Sequence, residues 1–348
     1  MINKTRILLI GSLPPPYGGT TVSFKHLFEI LHTNKSFNVQ VLDTIGIRGD
    51  LINGFGKLIV LLFKLIRNIR KSDIISMHLN DLPFAYLGVV ILVLSKIYKK
   101  PLIVRKFGGN SFQLGFIGNY AAFLVMKHSD IVLLQTKSLV RQAQNRGLKN
   151  IRWYATSRPR PKSQTNTKTE INKGCSKFVY IGHVKKEKGI LELLEASERF
   201  SQNINVDVYG PFSTDLDLRC FSNSKTVNYC GILCPEDVIT TLQRYDAFVF
   251  PTYNRKEGYS GAIIEAYFAG LPVICTDWQA LPEIVDENTG ILVPPKNSEA
   301  LYQAMKKMCE DVNLYVKLRK GALERSIQFD SEFWANEFGK YCLELQMK

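Results

Sequence analysis

FVFPTYNRKEGYSGAIIEAYFAGLPVICTD, residues 248–277, is the stretch whose reading decides the fold. Phe248–Pro251 is a short apolar run bounded by turn residues, as a fully buried strand requires. A polar loop follows, and then a helix predicted over Gly261–Ala269. Gly270 stops it and Pro272 follows just beyond, the usual order at a helix end. Val273–Thr276 is a second buried strand. Strand, helix and strand make a β-α-β crossover, and open parallel sheets bind ligands at the carboxyl ends of such strands. Ser260 is the predicted cap, its side chain placed to accept from the amides of Gly261, Ala262 or Ile263. Small residues before a helix N-terminus suit an anion, because unpaired N–H groups and the macrodipole both favour negative charge. Gly258 and Gly261 let that anion approach the backbone. Glu257 and Glu265 stand before and inside the helix, where two carboxylates would accept hydrogen bonds from a hydroxyl-rich ligand.

Outward from this segment the same alternation recurs. In the first half, strands are predicted at Arg6–Ile10, Val39–Asp43, Ile74–His78, Leu102–Arg105 and Ile131–Gln135, with helices near Thr20–His32 and around Ala85–Tyr98. The second half begins again at Lys177–Ile181 and continues through Val206–Tyr209, Phe248–Pro251, Val273–Thr276 and Gly290–Val293. Its helices are predicted near Ile190–Phe200, Glu236–Tyr245, Gly261–Ala269 and Ser298–Glu310. Alternating strands and helices argue for parallel, doubly wound sheets. PRPKSQTNTKTEINK, residues 159–173, lacks apolar periodicity and reads as a linker. The chain of 348 residues is thus expected to be α/β, with Rossmann-like domains at 1–160 and 174–330, a linker at 161–173, and a helix within 331–348 packing back toward the junction.

Charge is distributed unevenly. Residues 1–168 hold 25 Lys and Arg against 6 Asp and Glu, whereas residues 169–348 hold 20 against 25. A basic first half points to a polyanionic partner, either nucleic acid or an anionic membrane surface. LIVLLFKLIRNIRK, residues 58–71, is apolar with its cations clustered late; it reads either as a core helix with a solvated basic end or, the reading preferred because its half of the chain is so basic, as a helix lying on a membrane surface. No apolar run reaches the roughly 20 residues needed to span a bilayer, and the first residues read as a buried strand rather than a signal peptide. The seven cysteines form no C-x-x-C pair and are expected as free thiols in a reducing compartment. The expected location is therefore cytoplasmic, with peripheral binding to the inner face of the plasma membrane. Asp215-Leu216-Asp217 has the form of a D-x-D metal site but lies in a polar stretch, and a solvated turn is the preferred reading.

Glu257-Gly-Tyr-Ser-Gly-Ala-Ile-Ile-Glu265, followed by Ala269-Gly270-Leu271-Pro272, resembles the E-x7-E motif of glycosyltransferase family 4, retaining enzymes of the GT-B fold. Tyr180–Gly189 (YIGHVKKEKG) looks like the family's G-R-x4-K-G phosphate segment, Pro15–Thr20 like its double-glycine loop, and Leu281–Pro294 like its next element. The resemblance implies two Rossmann-like domains facing across a cleft. It implies that Glu265 binds the nucleotide ribose and Glu257 the donor sugar hydroxyls. The backbone of Ser260, Gly261 and Ala262 would hold the distal phosphate, with Lys188 neutralising it; Glu257 and Lys188 are the catalytic pair. Gly182, His183 and Gly231 fall on the donor side, Gly231 near the base, and Gly18 and Gly19 line the cleft from the first domain. His183 replaces the family's arginine, a weaker phosphate partner. Arg105 and Lys106 stand where many relatives carry a histidine, and they are expected to greet an acceptor phosphate.

The implied reaction moves a sugar from a UDP- or GDP-sugar to a lipid-linked or membrane-proximal saccharide acceptor, in bacterial surface polysaccharide assembly. Neither a metal nor another cofactor is expected, since fixed cations and amides can stabilise the leaving diphosphate. Two rivals are weaker. A nucleic-acid-binding protein would explain the charge, but no such signature is present and residues 248–277 would be left without a purpose. A dinucleotide oxidoreductase would need G-x-G-x-x-G, and residues 11–19 (GSLPPPYGG) do not supply it.

Overall fold

The computed structural model describes residues 4–15, 17–44, 55–109, 113–161, 175–201 and 204–347. Most of the predicted linker, from residue 162 on, and Pro16 of the double-glycine loop lie outside them. The chain forms two compact units, Met1–Pro159 with Ser331–Lys348, and Arg160–Asp330.

In the first unit, strands β1 (Thr5–Gly11), β2 (Phe37–Asp43), β3 (Ile74–Leu79), β4 (Leu102–Lys106), β5 (Ile131–Leu134) and β6 (Ile151–Trp153) form one sheet in the order β2-β1-β3-β4-β5-β6. Every pairing is parallel. Helices α1 (Gly19–Thr33), α2 (Phe55–Lys71), α3 (Asp81–Ile97), α4 (Gly115–His128) and α5 (Lys137–Asn145) supply the crossovers. Strands β3, β4 and β5 are buried along their whole length, which is why they read as continuous apolar runs rather than alternating ones. Strand order reverses at β1 and β3, so the crevice beyond their carboxyl ends is this sheet's natural ligand position.

The second unit repeats the plan with β7 (Lys177–Ile181), β8 (Asn205–Tyr209), β9 (Val227–Tyr229), β10 (Ala247–Phe250), β11 (Val273–Thr276) and β12 (Gly290–Val293), ordered β12-β11-β10-β7-β8-β9. Its helices are α6 (Ile190–Glu198), α7 (Val238–Leu242), α8 (Gly261–Phe268), α9 (Ser298–Glu310) and α10 (Val312–Ser326). Here the order reverses between β7 and β10, and the loops leaving those two strands carry the segments singled out in the sequence. The final helix, α11 (Ser331–Gln346), belongs to the first unit. Trp334 packs edge-on against Trp153 and Tyr154, and its carbonyl accepts from the Tyr154 hydroxyl at 2.9 Å.

Strands β6 and β9 and helices α4 and α10 carry too few residues, or too even an apolar distribution, to announce themselves by periodicity. The segment predicted as one helix at Glu236–Tyr245 is a 3-10 turn (Pro235–Asp237) leading into the short α7.

One close approach ties the loop after β8 to the loop after β7. Gly210 follows β8 with φ +138°, and a Cβ on it would lie 1.9 Å from the Gly182 carbonyl oxygen, so only glycine fits. Gly210→Ala is expected to destabilise the second unit by about 3 kcal/mol, read as a lowered midpoint in urea unfolding. Unchanged stability would show that the β7 and β8 loops do not pack this tightly.

Candidate active site

The loop after β7 runs through Gly182 and His183 to a 3-10 turn, Lys186–Lys188; the loop after β10 runs from Pro251 to Ser260. They are stitched together by backbone. The Tyr253 amide donates to the Glu187 carbonyl at 2.8 Å, and Thr252 Oγ1 lies 3.3 Å from the same carbonyl oxygen. Gly189 closes the turn with φ +78°, and a Cβ there would lie 2.1 Å from the Pro251 carbonyl oxygen. The glycine after Lys188 is therefore required by sterics, because it lets the two loops touch.

That contact brings Lys188 onto Glu257. The ammonium nitrogen lies 2.5 Å from Glu257 Oε2, and the Thr252 hydroxyl donates to the same oxygen at 3.0 Å. Lys188 Nζ also sits 4.9 Å above the Phe250 ring. Glu257 is only 9% exposed. A carboxylate taken so far from water persists because a cation and a hydroxyl both satisfy it. Thr252 is thus part of the site, and so is Thr276, whose hydroxyl donates to the Thr252 carbonyl. The sequence carried no spacing signal for either threonine.

Beyond Glu257 the chain enters α8. Ser260 occupies the cap position with extended geometry, but its side chain makes no capping hydrogen bond, which corrects the sequence expectation. The first intrahelical bond runs from Ile264 N to Ser260 O at 3.3 Å. With no side chain across the helix end, the amides of Gly261 and Ala262 have no intrahelical acceptor, the geometry that suits a phosphate. Glu265 is half-buried one turn further along α8. The Tyr259 hydroxyl donates to Glu283 Oε2 at 2.7 Å, tying the loop to the element after β11.

His183 is exposed, and its carbonyl accepts from the Tyr180 hydroxyl at 2.8 Å. Partial desolvation, then the charges of Lys188 and Lys185, hold its imidazole below the usual histidine range. It is therefore neutral at pH 7, a hydrogen-bonding group rather than a cation. Gly231 has φ +90° with open space where a Cβ would stand, and its carbonyl accepts from the Gly210 amide at 2.8 Å. Asp215 and Asp217 are engaged locally: Asp215 accepts from the Lys186 amide, and Asp217 caps a 3-10 turn and pairs with Arg219.

In the first unit, Gly18 and Gly19 lead into α1, and the Gly18 amide donates to Thr21 Oγ1 at 3.1 Å. Arg158, which sequence reasoning missed, lies beneath this turn. It donates to Ser23 Oγ at 2.9 Å, and a Cβ on Gly19 would stand 4.0 Å from its Nη2. Arg105 and Lys106 do not reach out to an acceptor as expected. Arg105 is 2% exposed, its guanidinium 4.5 Å from both the Phe107 and Tyr154 rings, and burial lowers its pKa to about 10. Lys106 is buried 3.3 Å from Asp81 Oδ1. Both side chains of β4 face inward because β4 is a central strand covered on both faces.

Residues 175–311 match the family of glycosyl transferases group 1. Over 158 residues the chain is 28% identical to N,N'-diacetylbacillosaminyl-diphospho-undecaprenol alpha-1,3-N-acetylgalactosaminyltransferase of Campylobacter jejuni, covering 44% of this chain and 40% of that protein. Over 141 residues it is 26% identical to O-antigen chain mannosyltransferase C of Escherichia coli, covering 39% and 37%. The chain thus spans about two fifths of the length of these curated relatives. The crystal structure of Anabaena HepE in complex with UDP superposes with a TM-score of 0.74 at 14% identity, covering 98% of this chain and 100% of that one. The chain has the GT-B fold of that structure, and its second unit carries the match to glycosyl transferases group 1. The family match contains Lys188, Glu257, α8 and Glu265.

Lys188→Met is expected to destabilise the second unit by about 2 kcal/mol by stranding a desolvated carboxylate. Combining it with Glu257→Gln should recover most of that loss in a double-mutant cycle of urea unfolding. Additive losses would mean that the two groups are not coupled.

Proposed function

We propose that this chain is a retaining glycosyltransferase that moves a hexosyl group from a UDP- or GDP-sugar to a lipid-linked or membrane-proximal saccharide in bacterial surface polysaccharide assembly. The observation that carries the reading is the Lys188–Glu257 pair set beside the uncapped N-terminus of α8. A nucleoside-diphosphate sugar presents a diphosphate, a ribose and a sugar in a row. Lys188 and the amides of Gly261 and Ala262 match the diphosphate, Glu257 the sugar hydroxyls and Glu265 the ribose. As the glycosidic bond breaks, negative charge grows on the diphosphate oxygen. A fixed ammonium and aligned N–H dipoles stabilise that charge without reorganising. These groups supply what a metal ion would otherwise supply. The sugar develops oxocarbenium character, which the Glu257 carboxylate favours. UDP bound to the structurally similar HepE and the lipid diphosphate named in the Campylobacter relative support the same donor and acceptor classes.

The first unit's surface supports peripheral membrane binding at the cytoplasmic face. On α2, Val60 and Phe63 are exposed beside the basic residues Lys64, Arg67, Arg70 and Lys71. Helix α3 exposes Leu82, Tyr86, Val93 and Ile97, and the start of α4 exposes Phe116, Ile117 and Tyr120. Apolar side chains flanked by cations are what an anionic lipid surface binds. Among the described residues no helix is long and apolar enough to cross a membrane.

UDP or GDP is expected to raise the melting temperature of the purified chain by several degrees, and Glu265→Ala to abolish the rise while sparing the apo melting temperature. A shift indifferent to Glu265 would remove the nucleotide from α8. Vesicles rich in phosphatidylglycerol should sediment the protein in low salt but not in 0.5 M salt, with Phe116→Ser/Ile117→Ser weakening capture about ten-fold. Equal capture by neutral phosphatidylcholine would argue against an anionic surface.

A further inference from the structure

The Glu257 carboxylate is buried, but the turn that carries it is not. Arg255 and Lys256 stand exposed at its tip, between half-buried Asn254 and buried Glu257. The Glu257 amide donates to the Asn254 carbonyl at 3.1 Å, closing a β-turn, and the Lys256 amide donates to Asn254 Oδ1 at 3.0 Å. The Asn254 amide donates in turn to Thr252 Oγ1 at 3.2 Å, and that hydroxyl donates to Glu257 Oε2. A polar surface turn closed by a few local bonds opens readily in water. Any opening would carry Glu257 off Lys188.

Restraint comes from the segment that follows β11. Half-buried Trp278 donates its indole N–H to the Asn254 carbonyl at 2.9 Å, the same oxygen that takes the Glu257 amide. Two further ties join the same segments: Thr276 Oγ1 donates to the Thr252 carbonyl, and the Tyr259 hydroxyl to Glu283 Oε2. The segment after β11 is itself held by backbone bonds. The Asp277 amide donates to the Val293 carbonyl at 2.8 Å and the Trp278 amide to the Thr276 carbonyl at 2.9 Å, while the Trp278 carbonyl accepts from the Leu281 amide at 3.1 Å. Gln279 takes φ +54°, a left-handed turn that returns Ala280 and Leu281 to the core. Of the three ties, those of Thr276 and Tyr259 hold residues on either side of the turn. That of Trp278 reaches into the turn itself.

We propose that Trp278 is a positioning residue for Glu257: its indole N–H holds the Asn254 carbonyl and so keeps the 254–257 turn in the form that sets the carboxylate on Lys188. This rests on the reading of Glu257 as the group that meets the donor sugar, and it adds the residue that keeps Glu257 there. An indole N–H can only donate, so it cannot exchange roles as a hydroxyl can. In the same reading the ribose and phosphates are met by Glu265 and the start of α8. A loosened turn therefore lowers the fraction of molecules with Glu257 in place, which reduces rate and spares nucleotide affinity.

The test replaces Trp278 in the full chain by Phe and, separately, by benzothienylalanine, which keeps the indole shape with sulfur in place of the N–H. UDP release from UDP-glucose, UDP-galactose and UDP-N-acetylglucosamine, and GDP release from GDP-mannose, report turnover. Calorimetry with UDP and GDP reports nucleotide affinity, and hydrogen exchange reports opening of residues 254–257. Both variants should lower kcat at least about ten-fold, leave the nucleotide Kd within about two-fold, and speed exchange at the Glu257 amide while the amides of β10 stay protected. A wild-type rate in the benzothienylalanine variant would assign the effect to ring packing and overturn the proposal. So would a fall of kcat and nucleotide affinity together, or unchanged exchange at Glu257. If the wild-type chain releases no nucleotide from these donors, faster exchange at Glu257 in the variants keeps the clamp and counts against the transferase reading. Unchanged turnover in both variants keeps the transferase and removes the clamp.

Discussion

The ion pair between Lys188 and Glu257 is the contact that holds the second unit's candidate site together. It joins two loops that leave neighbouring strands, β7 and β10, and it exists only because those loops touch. The touch is permitted by Gly189, whose missing Cβ would otherwise meet the Pro251 carbonyl 2.1 Å away. A buried cation and carboxylate in mutual contact are costly to desolvate, and each is retained here by a second partner: the Thr252 hydroxyl for Glu257 and the Phe250 ring for Lys188. The pair therefore holds a positive charge in place beside the start of α8. Site and fold share one constraint, since the backbone approach that closes the sheet's switch point also positions the charge.

The first unit handles its excess of cations differently. Some are consumed in the interior: Arg105 lies between two aromatic rings, Lys106 beside Asp81, and Arg158 beneath α1. Others stay on the surface, among them Lys64, Arg67, Arg70 and Lys71 of α2. A net basic sequence thus resolves into two populations with different physics. Buried guanidinium groups brace the ends of β4 and the strand-to-helix turns, whereas the exposed ones project a field into solvent that salt can screen. Exposed apolar residues on α2, α3 and α4 share this unit with the surface cations.

Much of the architecture was legible because parallel strands buried on both faces leave unmistakable apolar runs, and Gly-Pro punctuation marks where α8 stops. Short edge strands such as β6 and β9 left no comparable trace, since three residues cannot display a period. Helix α7 was misread in extent because its first turn is 3-10, a distinction made by hydrogen-bond geometry and not by composition. In the site, Glu257, Glu265, Lys188 and the glycines stood out by spacing. Thr252, Thr276 and Arg158 did not, because their roles are set by partners 5 to 135 residues away.

By itself, then, the amino-acid order determined the repeated β-α alternation, the two-unit plan, the resemblance carried by residues 257–265 and 180–189, and the uneven charge. These follow from local rules of burial period, turn chemistry and helix ends, each readable within a dozen residues. Only the tertiary structure decided that Arg105 and Lys106 face inward, that Ser260 leaves its helix end open, that Lys188 meets Glu257, and that Trp278 reaches the Asn254 carbonyl. Each of these is a relation between segments distant in sequence. Burial and pairing are properties of how the sheets and helices pack, and no single segment carries them.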